Sequence, residues 1–280
     1  MVGGPHVTIQ KEKAFLPQFD YAFMGEAERS LPEFLEAYRT FGEFPKGMLY
    51  RKRGQVINTG AAWLRDTTMR KSELGGQYPL DEFPLPARHL LPMEKYKLGT
   101  PNGRDHFTSL LTAKGCPWTC IFCASDALKT TRYIMKSPKR VVEEMADVAE
   151  NYPYVKHIFI VDDVLTFWPE HIVEICDRMD TEGLRFTFES STRANLVSDK
   201  LIERLARSGL IRLSFGLETI DPVMRVTMQK RVPVEAYAVA NRICTKHGVE
   251  AMNSLMIGLP GETKETIQHT LEWVASQRDI

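Results

Sequence analysis

The chain has 280 residues, of which 43% are hydrophobic and 26% charged, a composition that fits one large α/β domain or two smaller globular ones. Its 36 basic and 36 acidic side chains give a formal net charge of zero, which argues against a protein built around binding to nucleic acids or anionic membranes. No apolar run approaches the roughly 18 residues that span a bilayer, and the N-terminus lacks the features of a secretory signal peptide. Three of the five cysteines are clustered, which is typical of metal binding in a reducing compartment, so we expect a cytoplasmic protein.

The first hundred residues predict a little local structure and then a linker. Ser30 and Glu33 have the spacing of a capping box, so a helix is predicted to begin there and to end near Gly42. Residues 48–51 and 55–59 flank a short basic turn and predict a β-hairpin. An extended linker is predicted from four prolines, Pro79, Pro84, Pro86 and Pro92.

Three cysteines lie within one short segment, Gly115-Cys-Pro-Trp-Thr-Cys-Ile-Phe-Cys, here called the cysteine segment. Cys116, Cys120 and Cys123 have a C-x3-C-x2-C spacing, which lets a single loop place three thiolates around one metal centre. Cubane iron–sulfur clusters usually take four cysteine ligands, so three leave one iron open to a substrate or cofactor. A zinc knuckle or three buried thiols are the alternatives, but zinc needs a fourth ligand, usually from a second ligand pair that this sequence lacks. The remaining Cys176 and Cys244 are predicted to be small core residues on helices.

From about residue 105 the chain alternates between apolar strand-like runs and amphipathic helical segments, which indicates parallel strands joined by right-handed crossovers. The predicted strands lie at 107–113, 155–161, 185–189, 211–217 and 251–257. Ser137 and Ser198 are predicted to cap two of the helices between them. Polar residues or glycines follow each strand, and in a barrel these strand ends share the face that carries the active site. The sequence therefore favours an α/β fold with a partial (β/α) barrel, and an open doubly wound sheet is the alternative.

The cysteine segment resembles the signature of the radical SAM (S-adenosylmethionine) superfamily, including Phe122 directly before the last cysteine, and the resemblance extends from about His106 to the end of the chain. It implies that Cys116, Cys120 and Cys123 hold a 4Fe–4S cluster whose open iron binds the amino and carboxylate groups of S-adenosylmethionine, with Phe122 near the adenine. It also implies reductive cleavage of this cofactor to a 5′-deoxyadenosyl radical, which takes a hydrogen atom from a substrate. A low-potential electron donor such as flavodoxin or ferredoxin is the expected partner.

Other residues at predicted strand ends match positions that have roles in this family. Asp162 and Asp163 match the site of the methionine amino group, and Arg193 stands where a cation can pair with the methionine carboxylate. Glu218 stands where the family often contacts ribose, and Gly258 opens a turn that resembles one near the adenine. Each also has an ordinary interpretation, as an acidic capping residue, a surface ion pair or a loop glycine.

The N-terminal residues resemble one branch of the superfamily. Gly3 and Gly4, residues 25–28 and the later prolines are similar to the end of a Rossmann-like cobalamin-binding domain and its linker, where a glycine pair lies beside the cobalamin nucleotide tail. The D-x-H-x-x-G segment that supplies the axial histidine in many such domains is absent, as is a sixth barrel strand. We therefore expect part of a longer protein, with a cobalamin-domain remnant at 1–45, the hairpin and linker at 46–104, and the radical SAM core at 105–280.

Taken with the resemblance, the sequence favours an enzyme that acts on a small molecule, by cobalamin-dependent methylation or by rearrangement or cyclisation as in magnesium-protoporphyrin ester cyclases. A methylthiotransferase acting on tRNA or a ribosomal protein is an alternative, but such enzymes carry cysteines in their N-terminal domain and none precedes Cys116 here. A non-catalytic iron–sulfur or zinc protein is a third interpretation. The sequence does not predict the substrate.

Overall fold

The computed structural model describes residues 1–62, 78–125, 128 and 133–277. The chain divides into two compact units, a smaller one of Met1–Pro79 with Cys123–Arg132 and a larger one of Leu80–Phe122 with Tyr133–Ile280. Residues 115–122 of the cysteine segment therefore belong to the larger unit, and Cys123 belongs to the smaller one. The domain limits at 45 and 104 stay predictions about the whole protein.

The smaller unit contains a three-stranded antiparallel sheet with two α-helices among its described residues. Its elements are α1 (Pro5–Gln10), β1 (Tyr21–Phe23), α2 (Ala27–Thr40), β2 (Met48–Lys52) and β3 (Gln55–Asn58). The predicted hairpin is confirmed, because β2 and β3 pair antiparallel with Lys52 opposite Gln55. Arg53 and Gly54 between them have φ values of 51° and 80°, as a two-residue type I′ turn requires.

The predicted start of α2 at Ser30 is wrong, because the helix begins earlier, at Ala27. Ser30 is buried inside the helix, and its hydroxyl donates to the carbonyl oxygen of Glu26 at 3.5 Å. A serine hydroxyl can bond a backbone carbonyl one turn back as well as cap a helix start, so the sequence pattern alone is ambiguous. Ala27, in the added first turn, packs against the cluster of Phe23, Phe34 and Met48, so the earlier start adds contact between α2 and the sheet.

The larger unit is built on a six-stranded sheet. Its strands are β4 (Lys97–Thr100), β5 (Gly103–Leu110), β6 (Ala113–Lys114), β7 (Ile134–Met135), β8 (His157–Ile160), β9 (Thr187–Thr192), β10 (Leu210–Glu218) and β11 (Glu250–Leu255). The order across the sheet is β4-β5-β8-β9-β10-β11, while β6 and β7 pair with each other as a short ribbon. Strands β5 and β8 to β11 run parallel, and β4, which the sequence did not predict, pairs antiparallel with β5.

This strand order confirms the partial (β/α) barrel over the doubly wound alternative. A doubly wound sheet reverses its strand order at a switch point, whereas here each new parallel strand is added beside the previous one. The five parallel strands correspond to the five predicted runs. The helices among them are α3 (Pro138–Asn151), α4 (Pro169–Thr181), α5 (Asp199–Arg207), α6 (Pro222–Thr227), α7 (Val234–Lys246) and α8 (Lys264–Ser276). In the described ranges, no helix is long and apolar enough to cross a membrane.

The helices pack against the sheet through one continuous apolar core. Its buried side chains include Val141, Met145, Ile158, Ile172, Phe188, Leu205, Leu213, Phe215 and Tyr237. The predicted N-caps are confirmed, since the hydroxyls of Ser137 and Ser198 accept backbone N–H groups in the first turns of α3 and α5. Cys176 and Cys244 lie in this core as predicted, and burial raises the pKa of each thiol to about 12.

Candidate functional site

Asp162, which follows β8, holds the chain just before the cysteine segment. Its carboxylate accepts the backbone N–H groups of Thr112 and Ala113 at 2.8 and 3.0 Å and also the Thr112 hydroxyl. Only 4% of Asp162 is exposed, and burial raises the pKa of its carboxyl to about 6 although these donors favour the anion. Since both carboxylate oxygens are engaged by the end of the neighbouring strand, Asp162 has a structural contact that the sequence did not predict.

Asp163 is exposed, and its Oδ2 accepts the backbone N–H of Gly115 at 2.9 Å. Gly115 has a φ of 107°, which a residue with a side chain rarely adopts, so glycine is needed where the cysteine segment begins. Two consecutive acids after β8 thus hold consecutive parts of the same loop. Their assignment to the methionine amino group stays a prediction, and Asp163 fits it better because the oxygens of Asp162 are already bonded.

Arg193, which follows β9, lies over Trp118 of the cysteine segment, with its Cζ 4.0 Å from the ring centroid. Trp118 in turn meets Phe167 edge-on at a centroid distance of 5.5 Å. Arg193 is 7% exposed, and within the described part of the chain its Nε and Nη2 have no hydrogen-bond partner. Buried donors without partners are costly, and a guanidinium fits a carboxylate through two parallel hydrogen bonds, so this side chain suits an anionic ligand. The sequence did not predict a role for Trp118. Its only sequence signal is its position, as an aromatic residue between the candidate ligands Cys116 and Cys120.

The far side of the cysteine segment is held by residues 228–230, here called the 228–230 segment. The Ile121 N–H donates to the carbonyl oxygen of Met228 at 3.2 Å. The Thr119 hydroxyl donates to the side-chain oxygen of Gln229, also at 3.2 Å, across 110 positions of sequence. Because such contacts depend on the finished fold, local sequence patterns gave no indication of them.

Phe122 packs into an apolar cluster, whose other members are Met224, Met228, Met256 and Leu259. Leu259 belongs to the predicted glycine turn after β11, in which Gly258 has a φ of 95°. The Gly258 N–H donates to the Glu262 carboxylate at 2.5 Å, which closes the turn. Phe122 and the Gly258 turn, both predicted to lie near the adenine, are therefore brought to one place.

Glu218 is the last residue of β10 and has a φ of 65°, which is uncommon for a residue with a side chain. Its Oε1 lies 3.3 Å from the Nζ of Lys230, and the two side chains are 11% and 10% exposed. The Lys230 ammonium also lies over Phe122, 5.7 Å from the ring centroid. The carboxylate predicted to contact ribose thus stands beside the ring predicted to lie near the adenine, together with a lysine that the sequence did not single out.

The thiols of the cysteine segment have separate contacts in this structure. Cys116 and Cys120 are partly buried and Cys123 is exposed. Cys120 Sγ lies 3.9 Å from the carbonyl oxygen of Gln229, Cys123 Sγ lies 3.0 Å from the hydroxyl of Ser125, and burial raises the pKa of Cys116. Among the described residues no three His, Cys, Asp or Glu side chains are grouped closely enough to hold a metal ion. Soft sulfur donors at this spacing still suit an iron–sulfur cluster, whose binding requires each thiol to lose its proton, and the ligand assignment stays a prediction.

The glycine pair of the smaller unit precedes α1. Gly4 has a φ of 94°, and no described atom lies within 4 Å of the position that a Cβ would take there. Gly25 differs, since a Cβ on it would lie 1.9 Å from the carbonyl oxygen of Ala62. The backbone at Gly4 is therefore open to a ligand, while the contact of Gly3 and Gly4 with cobalamin stays a prediction.

Comparisons with known proteins identify the larger unit. Residues 110–274, more than half of the chain, match the family described as the Radical SAM superfamily. The chain is 30% identical over 286 residues to the uncharacterized methyltransferase PH0819 of Pyrococcus horikoshii, an alignment that covers 100% of this chain and 58% of the relative. It is 26% identical over 282 residues to the anaerobic magnesium-protoporphyrin IX monomethyl ester cyclase of Cereibacter sphaeroides, covering 96% of this chain and 43% of that one.

Among solved structures, the fold is similar to that of the radical S-adenosylmethionine methyltransferase TsrM of Kitasatospora setae, solved with cobalamin and a 4Fe–4S cluster bound. The TM-score is 0.75 at 19% identity, and the match covers 99% of this chain and 53% of the other. At this identity the likeness concerns the fold. The chain spans about half the length of the relatives it matches.

Proposed function

The chain belongs to the radical SAM superfamily, and we therefore propose that the whole protein cleaves S-adenosylmethionine reductively at a 4Fe–4S cluster held by Cys116, Cys120 and Cys123. One observation carries this proposal: side chains from the connections after four consecutive parallel strands contact the cysteine segment. They are Asp163 after β8, Arg193 after β9, Lys230 beyond α6 in the connection after β10, and Leu259 after β11. A structural zinc or iron–sulfur protein has no need of such converging charged groups, which makes it the weaker interpretation.

The residues around the segment have distinct tasks under this proposal. When bound, the cluster supplies the electron that cleaves S-adenosylmethionine. Arg193 donates hydrogen bonds to the methionine carboxylate, and Asp163 accepts from the amino group. Glu218 accepts from the ribose, and the apolar cluster around Phe122 excludes water from the adenine side. The chain thereby binds and orients the cofactor, whose own chemistry generates the radical.

For the reaction itself, we infer methylation of a small molecule with cobalamin as the methyl carrier. The methyltransferases among the similar proteins support this reading, together with the N-terminal resemblance at Gly3 and Gly4. Cyclisation is the second candidate, because the cyclase relative aligns with 96% of this chain. The electron donor is a flavodoxin or ferredoxin, and the location is the cytoplasm.

The test uses the full-length protein, loaded anaerobically with iron, sulfide and cobalamin and supplied with S-adenosylmethionine and a reductant. We expect 5′-deoxyadenosine, accompanied by S-adenosylhomocysteine if the reaction is methylation and without it if the reaction is cyclisation. A variant with alanine at Cys116, Cys120 and Cys123 is the control and should form neither product. A fully iron-loaded native protein that forms neither, or a colourless protein that binds zinc instead, contradicts the proposal.

A further inference from the structure

The short ribbon of β6 and β7 forms the base of the cysteine segment. Lys114, the last residue of β6, is followed directly by Gly115 and Cys116, and it pairs with Ile134 of β7. Within the described residues, no strand of the six-stranded sheet pairs with this ribbon, and an isolated two-stranded ribbon is marginally stable at best. Ile134 and Met135 are buried, but apolar packing is non-directional and does not fix the direction of the chain. Directed polar contacts are therefore needed to orient the ribbon.

Lys136, directly after β7, makes three such contacts with three different elements. Its backbone N–H donates to the carbonyl oxygen of Thr112 at 2.9 Å, just before β6. Its carbonyl oxygen accepts from Nε2 of His171 on α4 at 2.8 Å. Its ammonium donates to Oε2 of Glu144 on α3 at 2.5 Å. Since Thr112 is also bonded by Asp162, both strands of the ribbon are held at the end opposite the cysteines.

The carboxylate of Glu144 connects this lysine to the parallel sheet. Its second oxygen, Oε1, accepts from Nη2 of Arg88 at 2.6 Å. Arg88 lies in the segment predicted to be a proline-rich linker, and its guanidinium also donates to the Thr108 hydroxyl at 3.0 Å and to the Ser109 carbonyl oxygen at 2.8 Å on β5. The ammonium of Lys136 is thereby tied through one carboxylate and one guanidinium to a strand of the sheet.

We propose that Lys136 is a positioning residue for the 4Fe–4S cluster, an inference that rests on the proposed function. Through Glu144 and Arg88 its ammonium holds the ribbon on β5, and the ribbon sets the direction in which the chain reaches Cys116. Residues that orient metal ligands from behind change metal affinity by roughly 10- to 100-fold when they are replaced, although they do not touch the metal. The predicted linker is then part of the support of the cysteine segment.

The ion pair of Arg212 and Glu189 provides a matched control for this role. Its side chains are 15% and 7% exposed, against 14% and 1% for Lys136 and Glu144, so burial does not distinguish the two pairs. Their places in the fold do, because Arg212 lies near the start of β10 whereas Lys136 follows the ribbon. Removing Arg212 should therefore affect stability alone, and removing Lys136 should affect the cluster.

The test uses the full-length protein loaded anaerobically with iron and sulfide, and measures iron release to a chelator, the EPR signal of the reduced cluster and urea unfolding. Lys136→Met should release iron about tenfold faster than the native protein and broaden the EPR signal, because the thiolates take up more than one arrangement. Glu144 keeps Arg88 as its partner in this variant, so no buried charge is left unpaired. Lys136→Arg should retain iron nearly as well as the native protein, since a guanidinium also pairs with a carboxylate. Arg212→Met should unfold at a lower urea concentration and release iron at the native rate.

Release of iron at the native rate from Lys136→Met overturns the positioning role and leaves the proposed function standing. Faster release from both Lys136→Met and Arg212→Met, in proportion to their losses of stability, assigns the lysine to the stability of the fold and also overturns it. A native protein that takes up no iron, or that keeps its iron when Cys116, Cys120 and Cys123 are all replaced by alanine, contradicts the proposed function instead.

Discussion

The amino and carboxyl ends of the parallel sheet in the larger unit use charged side chains in different ways. At the amino end, Arg212 donates to the carboxylates of Glu189 at 2.8 Å and Glu250 at 2.6 Å on the two neighbouring strands. At the carboxyl end, Arg193 keeps two buried donors without a hydrogen-bond partner in the described ranges, and Asp163 bonds the backbone of a loop. An arginine whose donors are paired with carboxylates stabilises a fold, whereas an arginine with buried donors left open suits an anionic ligand. Burial alone therefore does not distinguish a structural arginine from a binding one; its partners do.

Removing one arginine from each end tests this contrast most directly. Arg212→Met should lower the free energy of unfolding by about 3 kcal/mol, because Glu189, 6% exposed, loses its cation, and should leave the affinity for S-adenosylmethionine unchanged. Arg193→Met should change stability little and weaken binding by about thirtyfold. Urea unfolding and equilibrium binding on both variants measure the two effects. An equal loss of unfolding free energy in Arg212→Met and Arg193→Met would contradict the contrast between the two ends of the sheet.

Asp162 lies at the carboxyl end of the sheet, but we predict that it stabilises the fold, as Arg212 does at the amino end. Asp162→Ala should cost about 3 kcal/mol of unfolding free energy, because the buried N–H groups of Thr112 and Ala113 lose their acceptor. Asp162→Asn is the matched control and should cost less than about 1 kcal/mol, since its amide oxygen can accept both N–H groups and its nitrogen can donate to the Thr112 hydroxyl. Urea unfolding compares them. If the asparagine variant is as unstable as the alanine variant, the charge matters more than the acceptor.

Acid should affect the two ends with opposite sign. His157, fully buried at the amino end, has its pKa lowered by burial to about 4, so its contribution to stability is complete above pH 6.5 and is lost as the pH falls toward 4. The raised pKa of Asp162, about 6, means that its contribution is lost as the pH rises from 3.8 toward 6. The two effects partly cancel in the native protein. Asp162→Asn should therefore lose stability more steeply on acidification, by up to about 1.4 kcal/mol per pH unit.

The measurement for this pH effect is urea unfolding at several pH values between 4 and 7.5. His157→Gln is the matched control and should show a shallower acid loss than the native protein, because the glutamine does not titrate. If the unfolding free energy changes with pH at the same rate in the native protein and in both variants, His157 and Asp162 do not have opposite effects on stability.

The smallest predicted effect concerns the ring beneath Arg193. Trp118→Leu removes the cation–π contact and should weaken binding of S-adenosylmethionine about fivefold, while Trp118→Phe should retain most of the affinity. Equilibrium binding at equal iron content measures this difference. A leucine variant that binds as tightly as native protein would show that Arg193 is positioned without the ring.

The sequence predicted those parts of the molecule whose cause is local. The apolar runs of the five parallel strands, the caps at Ser137 and Ser198 and the hairpin turn at residues 53–54 all follow from residues close together in the chain. Strands β1 and β4 were missed because three or four residues are too few to show a period of two, and their pairing depends on a neighbour.

The site was predicted as a set of residues but not as a set of contacts. Asp162 was recognised as an acid at a strand end, yet whether it meets a ligand or the chain depends on Thr112, which lies 50 positions earlier. Trp118, Gln229 and Lys230 were missed for the same reason, because each acquires its partner only when distant strand ends come together. Tertiary packing decides these roles, and no local pattern encodes them.

The consecutive order of the strands also governs how the site matures on the ribosome. Each β/α unit can pack against the edge of the sheet formed by the units before it. Gln229, however, leaves the ribosome 109 residues after Cys120, which it contacts. At ordinary elongation rates this delay lasts roughly 5 to 20 seconds. During that interval the nascent cysteines lack one whole side of their support, so a stalled chain that ends before the 228–230 segment presents thiols that the finished domain holds in place.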